Sequence, residues 1–226
     1  SGTVYYWLAY DISATAGLTN TVDGYVPTNG FTYSDDTPLS NVVIGTLVTN
    51  NPAGNLTIDG NMVYTSCTAT QNNINPLGQG TTNQEILGVQ IVTGLGTQNP
   101  VSATSFTFNT NGTSAVVTSN INNARLWFTG TSSNFSASAQ VGATTAAPNG
   151  SFTINGFTQA LSSGTNYFWL TYDIPGGAAL GAAVDAECTA LTVGTSKTPT
   201  VTAPAGSRNV ATVYTVTSTA EGTTTD

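Results

Sequence analysis

Phe168-Trp169-Leu170-Thr171-Tyr172-Asp173-Ile174 is a near copy of Tyr6-Trp7-Leu8-Ala9-Tyr10-Asp11-Ile12, 162 residues downstream. The same offset carries Val22-Asp23 onto Val184-Asp185. A second match, Val63-Tyr64-Thr65 with Val213-Tyr214-Thr215, has an offset of 150, and a longer loop between Asp23 and Met62 absorbs the difference. Self-similarity at a fixed period is the mark of a repeat architecture. The aromatic run itself reads as a strand whose alternate members fill a core, which puts Trp7 and Trp169 in the core.

Together the two matches frame the chain. One complete repeat is expected over 63–210. It is preceded by the closing part of an earlier copy (1–62) and followed by the opening strand of a later one, or a C-terminal tail (211–226). A chain framed in mid-repeat is expected to be a window on a longer tandem array. The alternative is that the partial units complete each other between neighbouring chains.

Within the complete repeat, strands follow one another. Glu85-Ile86-Leu87-Gly88-Val89-Gln90-Ile91-Val92 sets Leu87, Val89 and Ile91 on one face, and Ser105-Phe106-Thr107-Phe108-Asn109 alternates aromatic with polar residues. Ala124–Thr129, Phe152–Ile154, Tyr167–Tyr172 and Ala190–Val193 continue the pattern. Between them stand Asn111-Gly112, Thr129-Gly130, Asn149-Gly150 and Asn155-Gly156, where Asn and Gly supply the positive φ that tight turns need. No segment of helical length shows a 3.6-residue period. The expectation is an all-β chain: tandem antiparallel β-sandwiches, immunoglobulin-like or jelly-roll-like.

Composition narrows the function. The 226 residues include 3 Lys plus Arg, 11 Asp plus Glu and no His, a net charge of -8. Charged residues make up 6%, against roughly 25% in an ordinary soluble domain. Nucleic acid is excluded as a partner because there is no basic footprint. Imidazole-dependent triads and the common zinc sites are excluded as well, so any metal would be held by oxygen. No run approaches the roughly 18 apolar residues of a membrane-spanning helix, and Ser1 to Trp7 lacks the basic and apolar regions of a signal peptide. Thr (43) and Asn (22) fill the space instead. Two cysteines, Cys67 and Cys188, are compatible with one disulfide in an oxidising compartment or with two buried free thiols.

The series Asn99-Pro100, Thr104–Asn109, Ile121–Leu126, Phe128-Thr129-Gly130, Leu161–Ile174 and Val184-Asp185-Ala186 resembles the N-terminal domain of BNR-repeat neuraminidases. Gly164-Thr165-Asn166-Tyr167-Phe168-Trp169-Leu170-Thr171-Tyr172-Asp173-Ile174 is its most specific part. The resemblance covers about Thr81 to Arg208. It implies an all-β module, repeated in tandem in large secreted surface proteins of Bacteroidota, including gliding-motility adhesins. It brings no catalytic residue: three basic residues hardly supply an arginine triad for a sialate carboxylate.

The candidate sites are few. Asp173 and Asp185, repeated as Asp11 and Asp23, are candidate calcium ligands, because two carboxylates with nearby amide and carbonyl oxygens suit a hard cation. The alternative is that they cap turns by accepting backbone N–H bonds. Asp35-Asp36 and Asp59-Gly60-Asn61 match no EF-hand loop. Trp127 is the candidate ligand-facing aromatic, with sugar stacking as its chemistry. Asn55, Asn111, Asn134 and Asn149 stand in glycosylation sequons. No catalytic residue and no cofactor are expected, calcium aside. The leading expectation is a structural repeat of a long extracellular or cell-surface protein, partnered by neighbouring repeats or identical subunits in a fibre, with glycans as further partners. The alternative is a carbohydrate-binding accessory module of a secreted glycan-degrading enzyme.

Overall fold

A computed structural model describes residues 5–27, 53–115 and 117–213, together with the backbone of two short strands, Thr32–Tyr33 and Val42–Val43. The chain divides into two units, Ser1–Gly60 and Asn61–Asp226. Residues 214–226, with most of the expected opening strand of a following repeat, lie outside the described residues, as do Asp35 and Asp36.

In the first unit β1 (Thr21–Val22) pairs antiparallel with β4 (Leu56–Thr57), Val22 opposite Leu56, while β2 (Thr32–Tyr33) pairs with β3 (Val42–Val43). Reciprocal backbone bonds, Thr19 N–H to Ile58 at 2.9 Å and Ile58 N–H to Asn20 at 2.7 Å, extend the first pairing. The aromatic stretch Tyr5–Ile12 belongs to no strand.

The second unit is a β-sandwich. Its first sheet runs β10 (Gln140–Ala146), β9 (Asn123–Phe128), β13 (Gly164–Tyr172), β7 (Gln84–Gly94) and β5 (Val63–Thr70), antiparallel throughout. The second runs β11 (Ser151–Ile154), β8 (Ser102–Asn109), β15 (Glu187–Val193) and β16 (Thr195–Lys197), with β12 (Gln159–Ala160) also on β8. A small sheet joins β14 (Ala183–Val184), β17 (Arg208–Ala211) and β6 (Leu77–Gly78). One helical turn, α1 (Val117–Asn120), lies between β8 and β9.

The core follows from side-chain alternation. Phe168, Leu170 and Tyr172 of β13 and Phe106 and Phe108 of β8 are fully buried. The Phe106 and Phe168 rings meet at 4.8 Å and those of Phe128 and Phe168 at 4.7 Å. Burial of this kind, at about 25 cal/mol per Å² of apolar surface, is what holds two sheets together. The period-2 reading therefore holds, but its phase places Trp169 differently from expectation. Trp169 sits opposite Trp127 in register, on the other face of the sheet from Phe168 and Leu170, outside the core cluster. It is still only 6% exposed, because its ring lies over Gly88 of the neighbouring strand. A Cβ there would stand 3.1 Å from the indole and 2.8 Å from Thr70 Oγ1. Phe135 meets it edge-on at 5.9 Å and Tyr167 stacks at 6.3 Å.

Candidate functional site

Asp173 follows β13 and collects donors from three directions. Its Oδ1 accepts the Asn83 backbone N–H at 2.9 Å and Arg125 Nη1 at 2.6 Å, and its Oδ2 accepts Asn123 Nδ2 at 2.8 Å. Asn83 adopts φ 52°, a conformation Asn tolerates, and its side-chain oxygen accepts the same guanidinium at 2.8 Å. Burial pushes the Asp173 carboxyl upward, but Arg125, Asn123 and the Asn83 amide together hold it below the usual carboxylate range. The arrangement ties the ends of β7, β9 and β13 to one another. Calcium at Asp173 would have to displace the Arg125 cation.

Asp185 has separate partners. Its Oδ1 accepts the Ala186 N–H at 2.7 Å, as Asp23 Oδ1 accepts the Gly24 N–H at 2.7 Å in the first unit. The repeated aspartate thus accepts the N–H of the following residue in both copies. Burial lifts the Asp185 carboxyl above its ordinary range and nearby Glu187 adds to the rise, while the Ala186 amide and the adjacent Gln71 amide oppose it. Among the described residues neither amide atom of the buried Gln71 has a hydrogen-bond partner. The fully buried Tyr172 hydroxyl also has none. Among the described residues no cluster of three or more Cys, Asp and Glu side chains is placed to hold a metal ion.

The three cations are all engaged. Arg125 is committed to Asp173. Buried Arg208 donates to the carbonyls of Asn75 at 2.6 Å, Glu85, and Pro76 at 3.4 Å. Lys197 lies 4.8 Å over the Tyr64 ring and donates to Thr195.

Trp127 does not present a stacking face. It is 7% exposed, and its Nε1 donates to Thr171 at 2.8 Å while the Trp169 Nε1 donates to Thr129 at 2.8 Å. Trp127 and Trp169 are register partners on one sheet face, a juxtaposition that a single strand's sequence does not disclose. Cys67 and Cys188 are free thiols, both buried. Burial raises both above the usual thiol range, and the neighbouring Cys67 raises Cys188 further. Tyr64 donates its hydroxyl to Cys67 Sγ at 3.1 Å.

A model of the N-terminal domain of BNR-repeat neuraminidase matches residues 65–197. The chain belongs to this family. The neuraminidase N-terminal domain is a domain associated with the enzyme rather than the catalytic part, and the match coincides with the β-sandwich of the second unit, from β5 to β16. The solved structure of the Hadza microbial sialidase Hz136 is similar over 63% of this chain and 31% of that chain, with 12% identity and a TM-score of 0.50. The likeness shows the fold, and this chain spans less than a third of that sialidase. No curated protein matches. In this family member, sequence reasoning singled out Asp173 and Asp185 but missed Arg125, Asn83 and Gln71. Their contacts arise from segments far apart in the chain, and no local spacing marks them.

Proposed function

We propose that the chain is a non-catalytic accessory module of a secreted glycan-degrading enzyme, supplying position rather than chemistry. Membership in a domain family described by its place at the neuraminidase N-terminus carries this reading. The engaged state of Arg125, Lys197 and Arg208 supports it, because sialoside hydrolysis needs cations directed at the sugar carboxylate. In the sandwich the aromatic rings are spent on packing, so its contribution to glycan affinity is small. The test pairs a fluorogenic sialoside with a glycan array. No turnover and no saturable binding are expected; turnover overturns the non-catalytic reading, and submillimolar saturable binding replaces positioning with carbohydrate recognition.

A second reading, a structural repeat in a long cell-surface array, is favoured by the recurrence of the Tyr6–Ile12 motif and by the matching Asp23 and Asp185 hydrogen bonds. The two readings are compatible where an enzyme carries several such modules.

A further inference from the structure

Cys67 and Cys188 are 121 positions apart in the chain and belong to different sheets, yet both are buried in the same core. Cys67 lies in β5, the edge strand of the first sheet, where alternation turns Cys67 and Ala69 inward. Cys188 lies in β15 of the second sheet. These two strands approach each other across the sandwich, and one segment closes that edge over both cysteines. The Thr200 N–H donates to the Cys67 carbonyl at 2.8 Å, and the Cys188 N–H donates to the Thr202 carbonyl at 3.0 Å. The thiols are near enough for charge on Cys67 to be felt at Cys188.

Neither thiol is held by a strong partner. Cys67 Sγ accepts the Tyr64 hydroxyl at 3.1 Å, and the Cys188 thiol reaches the Ala190 carbonyl at 3.8 Å. Sulfur is a weak donor and a weak acceptor, so a covalent bond between the two would displace little. Burial does oppose exchange once the chain is folded, because the thiolate is the nucleophile and both thiols are pushed upward. The time for the bond to form is during folding, before the two sheets close over the sulfurs.

We infer that Cys67 and Cys188 form an inter-sheet disulfide when the chain folds in the presence of a disulfide oxidant. The Cys67 thiolate attacks one sulfur of the oxidant, breaking its S–S bond and releasing one thiol. The Cys188 thiolate then attacks Cys67 Sγ in the mixed disulfide and expels the second. The chain gives up two protons and two electrons, and the oxidant takes up both as its disulfide becomes two thiols. The bond joins the two sheets at their shared edge and closes a long loop, which restricts the unfolded chain. The inference is independent of any glycan role.

The test is to unfold the full chain in urea with its thiols reduced, then refold it in a buffer of reduced and oxidised glutathione and, in parallel, in dithiothreitol. After alkylation under denaturing conditions, mass spectrometry is expected to count two alkylated cysteines in the dithiothreitol sample and none in the glutathione sample. Trypsin cleavage after Arg125 separates Cys67 from Cys188, so the two fragments should travel as one mass until they are reduced. The bridged chain should melt about 5–10 °C above the reduced one. A chain carrying Cys67→Ala and Cys188→Ala together should melt alike in both buffers. Two free thiols after refolding in glutathione, glutathione left on either cysteine, or bridges formed only between chains overturn the inference. A bridged chain that melts no higher than the reduced one overturns it as well, because the native fold then does not favour the bond.

Discussion

Leu170 and Tyr172 have no exposed surface, whereas their counterparts Leu8 and Tyr10 are 68% and 54% exposed. The local sequences are nearly the same, so the difference comes from what lies next to each copy. Apolar alternation makes a segment capable of being buried, but burial needs partner strands in register on both sides and a second sheet beneath. In the second unit β7, β9 and β8 supply all three. The free energy of the motif therefore resides in its neighbours as much as in its own side chains.

The comparison is broken most directly by matched truncations. Leu170→Ala should lower stability in urea unfolding by about 3 kcal/mol, as cavity formation in a packed core does. Leu8→Ala should change it by less than about 0.5 kcal/mol; equal losses would mean that the first copy is buried in solution. Gly88→Val, on the adjacent strand β7, probes the opposite face of the same sheet. Its added methyls collide with Trp169 and Thr70 Oγ1, so a loss of about 2 kcal/mol is expected, with altered tryptophan emission as the local readout.

The repeated aspartates sharpen the comparison further, since their environments act in opposite directions. Asp173 has a lowered folded-state pKa. Its stabilisation is present above the unfolded pKa, roughly pH 4, and is lost as pH falls through the folded value. Asp173→Asn should cost about 1–2 kcal/mol at neutral pH by weakening a charge-assisted network, and should flatten acid unfolding. Asp185 has a raised folded-state pKa, so its ionisation opposes folding once pH exceeds the unfolded value. Asp185→Asn should stabilise at pH 7 by less than about 1 kcal/mol and make no difference near pH 3. The smallest effect is expected at the phenol. Tyr172→Phe removes a buried hydroxyl that makes no hydrogen bond, so it should be neutral or stabilising by up to about 1 kcal/mol. Tyr10→Phe should be silent in the same thermal melts.

The strand positions and the turns between them were legible because alternation and Asn-Gly pairs are local signals. Leu87, Val89 and Ile91 face the core as their spacing requires. The family resemblance was legible for a related reason, in that its most specific residues form one unbroken strand, β13. The Asp173 network was half legible: the carboxylate repeats, but Arg125 comes to it from β9 and Asn83 from the bend ahead of β7. Trp127, the candidate ligand-facing ring, is only 7% exposed, and exposure is a property of what covers a face. The indole beside it, Trp169, comes from a strand 42 residues away in the chain.

By itself the sequence determined an all-β chain with a duplicated strand motif, few charges and no imidazole chemistry. Those properties depend only on residue identity and short-range spacing. The tertiary structure alone decided which aromatic faces inward, which carboxylate meets a cation and which copy of the motif is enclosed. A period of two allows either face to be the buried one, and only the arrival of a second sheet selects between them.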